Sequence, residues 1–360
     1  QIWRGGGPFP DFSSSGAEFI PGARVIDGDH SRKQLTVEAS EVFQAGYTKL
    51  ILATGARELF LPFPGWTLPG VFGVGGLQAL AKSGLSVAGK RIIVAGTGPL
   101  LLAVAAYLEK HGARVPLIAE QAGWRSLGAF ATALLRHPSK IKQAVEIKKS
   151  ILRTKYLPNC WVTRASGAMV TLRHNGKQFQ EQCDYLAVAY GFAPNTELAQ
   201  LLGCELKGNV VKVDQNQQTT VENIYCVGEP TGLGGVDESL VEGEIAGHAA
   251  CGKFPKISRQ TASHFSRALN RAFALRPELR DAVTPETIVC RCEDVPFSRL
   301  QQAKSWREAK LHFRCGMGPC QGRVCGPALE YLFGWKAESI RPPIFPATLQ
   351  NLIIKETIHS

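Results

Sequence analysis

The chain contains no run of about 18 uninterrupted apolar residues, so no membrane-crossing helix is expected. Its most apolar stretch, IIVAGTGPLLLAVAAYL, is broken by Gly96-Thr97-Gly98-Pro99 and reads as a strand, a turn and a buried helix. The opening QIWRGGG has neither the basic start nor the apolar middle of a secretion leader. The sequence also lacks an internal repeat, a low-complexity tract and any nucleic-acid-binding signature. The eight histidines form no catalytic or metal-ligating group, and no residue presents itself as a general base. A catalytic site that handles substrate protons is therefore not expected on this chain.

The 360 residues suffice for two or three domains, and 44% hydrophobic with 20% charged residues is ordinary for a globular protein. The net charge of +11 is partly local, concentrated in RHPSKIKQAVEIKKSILRTK from Arg136 to Lys155. Without aromatic interleaving this reads as a solvated helix face, with a docking surface for a partner or a membrane as the minority reading. No nucleic-acid partner is expected. Ten cysteines in a chain of this length, with no secretion signal, suggest a reducing compartment and not a disulfide framework. The expected location is cytoplasmic, with peripheral attachment at the inner membrane as an alternative.

Five of the cysteines fall in the last quarter. The strings VCRCED and CGMGPCQGRVC give Cys290-x-Cys292, 27 intervening residues, then Cys320-x4-Cys325. Four thiolates converging on two irons is the requirement of a [2Fe–2S] cluster. Gly316, Gly318 and Pro319 break the chain before a helix expected through QGRVCGPALEYLFG, with Leu329 and Leu332 available for its core face. That helix would aim unpaired N–H groups at a negatively charged cluster. Zinc is the competing occupant, although its sites usually use Cys-x2–4-Cys pairs. Cys315 lies at the same spacing from Cys320 as Cys320 does from Cys325, and is read as a neighbour of the site, not a ligand.

Two further systems point to dinucleotides. VAGTGPLL follows a strand (Arg91 to Ala95) and opens a helix (Pro99 to His111), which Gly112 ends; a third strand runs from Arg114 to Ala119. Gly96 and Gly98 supply a tight turn and close approach to a pyrophosphate, and Glu120 stands where a ribose-binding acid belongs. Leu101 takes the third fingerprint position, where Gly or Ala is usual, and should hold the helix away from the phosphates. This unit is read as a site for NAD(P), for another adenine nucleotide, or for none. The second system is LILATGA, ending a strand expected over Tyr47 to Ala53, and IYCVGE, ending a strand at Asn223 to Val227 before a helix from Val236 to Ala250.

The cysteine strings resemble the bacterioferritin-associated-ferredoxin-like [2Fe–2S] domain. In particular they look like the version fused to flavoprotein subunits of opine oxidase, hydrogen cyanide synthase and D-hydroxyproline dehydrogenase. The resemblance implies Cys290, Cys292, Cys320 and Cys325 as the ligands. LILATGA and IYCVGE resemble the strand-end motifs of the two-dinucleotide-domain flavoproteins, the glutathione-reductase-like group. That resemblance implies FAD contacts at Thr54, Gly55, Gly228 and Glu229, the last standing where an Asp is usual. Supporting strings are ATGARELFLPFPGWTLPGV, GFAPNTELAQLLG, VGEPTGLGGVDESLVEGEIAG and RPPIFPATL. No Cys-x2-Cys or Cys-x4-Cys pair accompanies the flavin motifs, so a redox disulfide is not expected there. Cys160, Cys183, Cys204, Cys226 and Cys251 read as isolated residues.

The expected fold is α/β: two Rossmann-like dinucleotide-binding domains, the first incomplete, and a small helical [2Fe–2S] domain. The boundaries drawn are 1–85 and 181–252 for the FAD segments and 86–180 for the NAD-like unit. They continue with 253–285 for a helical linker, 286–335 for the cluster domain and 336–360 for a tail in which Pro342 and Pro343 suggest an extended strap. Gln1-Ile2-Trp3-Arg4 resembles the string that follows the first Gly-x-Gly-x-x-Gly unit in relatives, so the chain is expected to start just past the FAD phosphate loop. The resemblance implies a partner subunit like glycine or sarcosine oxidase, carrying its own FAD, and an acceptor such as a quinone. The implied role is electron transfer in a heteromeric dehydrogenase for opines, proline, hydroxyproline or glycine. The alternatives are an NAD(P)H-dependent FAD/[2Fe–2S] reductase and a non-catalytic scaffold with vestigial nucleotide sites.

Overall fold

The computed structural model describes residues 16–254, 260–337 and 339–352; Gln1 to Arg4 lie outside them. Its largest element is a five-stranded parallel sheet in the order Val71–Gly73, Tyr185–Ala189, Arg91–Gly96, Arg114–Glu120, Lys155–Pro158. Ile92 to Ala95 are fully buried, because a central parallel strand is covered on both faces and needs apolar residues at every position. One face packs against the helices Val74–Lys82 and Pro99–Lys110, through Leu77, Leu101, Val104 and Leu108. The other packs against an antiparallel sheet of Cys160–Ser166, Met169–His174 and Lys177–Gln182, through Trp161, Val162, Val170 and Leu172.

Two sequence-drawn boundaries move. Val71–Gly73, with the helix Val74–Lys82, and Tyr185–Ala189 fall within the FAD segments by sequence, yet both strands belong to this sheet. Val71–Gly73 is hidden in a Gly/Pro-rich connector. A three-residue strand has too few positions to show a period. Leu101 does hold its place in the core: it is fully buried between helix and sheet.

The first lobe holds an antiparallel meander, Arg24–Asp29, Gln34–Glu38 and Val42–Gly46, and a parallel pair, Leu50–Leu52 with Ile224–Cys226. That pair is shorter than the expected strands, but it sets the two motif ends side by side, with Leu52 opposite Cys226. The helix Val236–Ala250 follows.

The linker becomes the helix Gln260–Ala272 and the 3-10 turn Pro277–Ala282. A small module closes the fold: the hairpin Ile288–Cys290/Val295–Pro296 and the helices Phe297–Leu300, Trp306–Phe313 and Cys325–Phe333, around Val289, Leu300, Ala309 and Leu329. The last helix begins at Cys325, not at Gln321 as the sequence pattern suggests. Gln321 and Gly322 sit at positive φ, which a helix cannot accommodate. The tail crosses back over the first lobe, where the Ile344 amide donates to the carbonyl of Ile26 at 2.8 Å. The basic segment forms the helix Pro138–Ser150, whose Lys142, Lys148 and Lys149 are solvent-exposed. No described helix is long and apolar enough to cross a membrane.

Candidate metal centre and nucleotide sites

Cys290 ends its strand, and Cys292 follows in an exposed turn. The helix Trp306–Phe313 stops at Arg314, which takes the left-handed conformation (φ 60°) and anchors to Glu293 at 2.7 Å. Cys315 comes next, and the chain then curls through Gly316 to Val324 before Cys325 opens the helix Cys325–Phe333. Glycine is required where this loop meets the hairpin. A Cβ on Gly318 would lie 2.3 Å from Cβ of Cys292. One on Gly322 would lie 3.0 Å from the ring of Trp306, around which the loop is wound.

The result is a convergence of thiols. The sulfurs of Cys290, Cys315 and Cys325, all buried, lie within 4.8 Å of one another. Cys320 and Cys292 lie outside this group of three; the Cys320 thiol interacts with those of Cys325 and Cys292, which links the remaining two expected ligands to it in series. Hydrogen bonds from Cys315 and Cys325, together with the amides of Gly316 and Glu293, pull the Cys290 thiol well below its ordinary range. A bond from Cys325 and the amides of Val324 and Gly322 likewise lower Cys320. Cys315 and Cys325 are raised, since each donates to a neighbouring sulfur. Ligation needs deprotonated sulfur; of the four expected ligands, Cys290 and Cys320 are lowered, while Cys325 and Cys292 are raised. An all-sulfur donor set without disulfides suits an iron–sulfur cluster or zinc, and the residues fit such a group. The sequence reading puts Cys315 at the end of the preceding helix, where it is found, but keeps its sulfur outside the set that the fold gathers.

At the flavin motifs, Thr54 donates from Oγ1 to the carbonyl of Asn195 at 2.5 Å, and its own carbonyl accepts from Asn195 Nδ2 at 2.9 Å. Gly55 takes φ +67°, and a Cβ there would meet nothing within 4 Å, so the space above this strand end is open. Across the pair, the Gly228 amide donates to Glu242 at 2.7 Å, and Thr231 Oγ1 to the same carboxylate at 2.9 Å. Glu229, the acid singled out from sequence, is half-buried, and burial pushes its carboxyl up. Glu242 escapes a sequence reading because it lies inside a helix, fourteen residues from the glycine that it holds.

The NAD-like unit is arranged differently from the sequence expectation. Glu120 is fully buried. It accepts from the amides of Gly98 and Ala122, both at 2.8 Å, from Thr97 Oγ1 at 2.9 Å and from Tyr156. The carboxylate expected to bind ribose is thus saturated by its own chain. The linker lies over the same loop: Gln121 Nε2 donates to the carbonyl of Ala274 at 3.1 Å, and the Arg276 amide to Gln121 Oε1 at 3.2 Å. The Arg276 guanidinium stacks 4.2 Å from the Trp161 ring centroid, and Tyr331 of the helix Cys325–Phe333 donates to the Arg276 carbonyl at 2.5 Å.

Comparison with known proteins agrees with this architecture. The family model for pyridine nucleotide-disulphide oxidoreductases matches residues 11–243. The hydrogen cyanide synthase component HcnB of Pseudomonas aeruginosa is 32% identical over a 343-residue alignment covering 84% of this chain and 74% of that protein. One of the opine oxidase subunits of Rhizobium meliloti is 30% identical over 352 aligned residues, covering 84% of this chain and 75% of that protein. The crystal structure of L-proline dehydrogenase from P. horikoshii superposes with a TM-score of 0.63 at 16% identity, covering 92% of this chain and 64% of that one.

Proposed function

The chain belongs to the pyridine nucleotide-disulphide oxidoreductase family of α/β, FAD/NAD(P)-binding oxidoreductases, and we propose that it is the electron-transferring flavoprotein and iron–sulfur subunit of a heteromeric amine or imino-acid dehydrogenase. Relatives that match over 84% of this chain include subunits of hydrogen cyanide synthase and opine oxidase, and both names imply heteromeric enzymes. In this reading a partner subunit resembling glycine or sarcosine oxidase removes hydride from a C–N bond. The present chain passes the electrons onward, ultimately to an acceptor such as a quinone.

One contact carries the proposal. Arg57, two residues beyond Gly55, donates from Nε to the carbonyl of Arg323 at 2.9 Å, inside the loop between Cys320 and Cys325. The same side chain bonds Asn195 at 2.7 Å and Glu197 at 2.8 Å. The flavin strand end and the cysteine loop are therefore held against each other, as electron transfer between them requires.

Thr54, Gly55, Gly228 and Glu229 would hold FAD, and Cys290, Cys292, Cys320 and Cys325 the cluster. When bound, these groups supply two-electron and one-electron redox chemistry respectively. The protein's contribution at the cluster is electrostatic. Amides of Gly316 and Glu293 donate to the Cys290 sulfur, those of Val324 and Gly322 to Cys320, and that of Cys320 to Cys292. Such N–H···S bonds neutralise sulfur charge and raise a cluster's reduction potential. At the flavin end, Asn195 fixes Thr54 and Glu242 fixes the Gly228 amide. Both strand ends are thereby set before any nucleotide arrives.

The NAD(P)H-reductase reading finds no support in the second unit, where Glu120 and the linker use the polar groups that a dinucleotide would need. The decisive experiment purifies the chain with its partner subunit. The cluster spectrum is followed on adding opines, proline, hydroxyproline, glycine or NADH. Bleaching by one of the amino-acid donors and not by NADH is expected. If no such donor reduces the cluster, the relay role is wrong.

A further inference from the structure

Five thiols meet at the cysteine centre, and a [2Fe–2S] cluster takes four. We propose that Cys315 is a reserve ligand that can replace Cys325 on the cluster; this rests on reading the centre as a [2Fe–2S] site. Cys315 is brought in by its own element, independently of the two pairs. It follows the helix Trp306–Phe313, its amide is tied to the carbonyl of Ala309 at 3.2 Å, and only 1% of its surface is exposed. Its sulfur stands within 4.8 Å of the sulfurs of both Cys290 and Cys325. Two thiolates on one tetrahedral metal, each bonded at about 2.3 Å, lie roughly 3.8 Å apart. Cys315 is therefore near ligand separation from two ligands at once, within reach of a side-chain rotation. Cys292, at the other end of the series, is exposed and lies outside this group of three.

The exchange moves no electrons. The iron–sulfur bond to Cys325 breaks, a bond from iron to the Cys315 sulfur forms, and the proton leaving Cys315 passes to the released Cys325 thiolate. A cluster so equipped keeps four sulfur ligands when one thiolate is lost to oxidation or alkylation, chemistry to which cysteines are prone.

The test uses the full chain, reconstituted anaerobically with iron and sulfide. It reads iron content, visible circular dichroism and the paramagnetic resonance of the reduced cluster. The wild-type chain takes up both iron and sulfide; a chain that takes up neither, yet binds zinc when zinc is offered alone, overturns the cluster reading and this proposal with it. Given a loaded wild type, Cys325→Ala retains most of its iron with a shifted resonance, and Cys315→Ala/Cys325→Ala holds about ten-fold less. Cys315→Ala alone loads fully but surrenders iron to a chelator on the order of ten-fold faster. The proposal fails if Cys325→Ala folds and yet loses the cluster as completely as the double variant. It fails equally if Cys315→Ala releases iron at the wild-type rate, a measurement that does not depend on Cys325→Ala folding.

Discussion

The carboxylate of Glu120 accepts the amide hydrogen of Gly98 at 2.8 Å, so the turn that should cradle a pyrophosphate is already facing an acid from the next strand. Pro99 removes another donor from the same helix start. The pattern recurs twice. Glu58 accepts from the amides of Gly75 and Gly76 at 2.6 and 3.1 Å, and Glu242 from that of Gly228 at 2.7 Å. Neither Gly73 nor Gly98, the caps of the helices Val74–Lys82 and Pro99–Lys110, has a side chain to offer, and an acid reaching in from elsewhere satisfies donors that would otherwise be orphaned.

Glu120 should make stability depend on pH. Burial raises its pKa from the ordinary value of 4.5 to about 7. Between those values the folded chain binds more protons than the unfolded one, so this group's contribution declines as pH rises from about 4.5 through about 7. The span corresponds to roughly 3 kcal/mol. Urea unfolding at about pH 5 and about pH 8 measures it against Glu120→Gln, whose side chain does not titrate. The wild type should lose more stability across this interval than the variant. Parallel behaviour of the two proteins would show that the carboxyl is not perturbed.

Gly318→Ala should uncouple the cysteine centre from the rest of the fold. The added methyl would lie 2.3 Å from Cβ of Cys292, and overpacking of this kind costs about 1–3 kcal/mol. Iron uptake should fall sharply while far-ultraviolet dichroism is retained. Gly128→Ala, inside the helix Trp124–Leu134 with nothing within 4 Å, is the control. It should load normally and gain up to about 1 kcal/mol.

Ser305 caps the helix that delivers Cys315. Its Oγ accepts from the Glu308 amide at 3.2 Å, while the Glu308 carboxylate accepts from the Lys304 amide at 2.8 Å. Ser305→Ala should cost about 1 kcal/mol in chemical denaturation. An unchanged midpoint would mean that solvent satisfies the Glu308 amide equally well.

Arg57→Lys tests the link between flavin and cysteine segments. Lysine keeps the charge but cannot bond Arg323, Asn195 and Glu197 together from one rigid fork. Loss of these bonds should cost about 1–3 kcal/mol. In the reconstituted complex, rapid mixing with the amino-acid substrate should show slower cluster reduction with flavin reduction unchanged. Equal slowing of both phases would point instead to a disturbed flavin site.

Much of the architecture is legible in the sequence because it is periodic or punctuated. The helix Pro99–Lys110 lies between Gly98 and Gly112, with Leu101, Val104, Ala105 and Leu108 fully buried along it. The two cysteine pairs are legible from spacing and glycine density. The short strand Val71–Gly73, the true start of the helix Cys325–Phe333, and the partners Arg57, Asn195 and Glu242 are not. Each depends on a residue distant in sequence, and a lone Arg, Asn or Glu has no local pattern.

The amino-acid order alone settled the alternation of strands and helices, the glycines at the turns and the presence of two cysteine pairs, because these follow from local sterics and side-chain period. Only the tertiary structure decided that Cys315 joins the other thiols, that Glu120 turns inward to Gly98, and that residues after Ala272 lie over the second dinucleotide loop. Those outcomes depend on which donors and acceptors the packed chain brings within about 3 Å, a distance that hydrogen bonding demands and sequence separation does not encode.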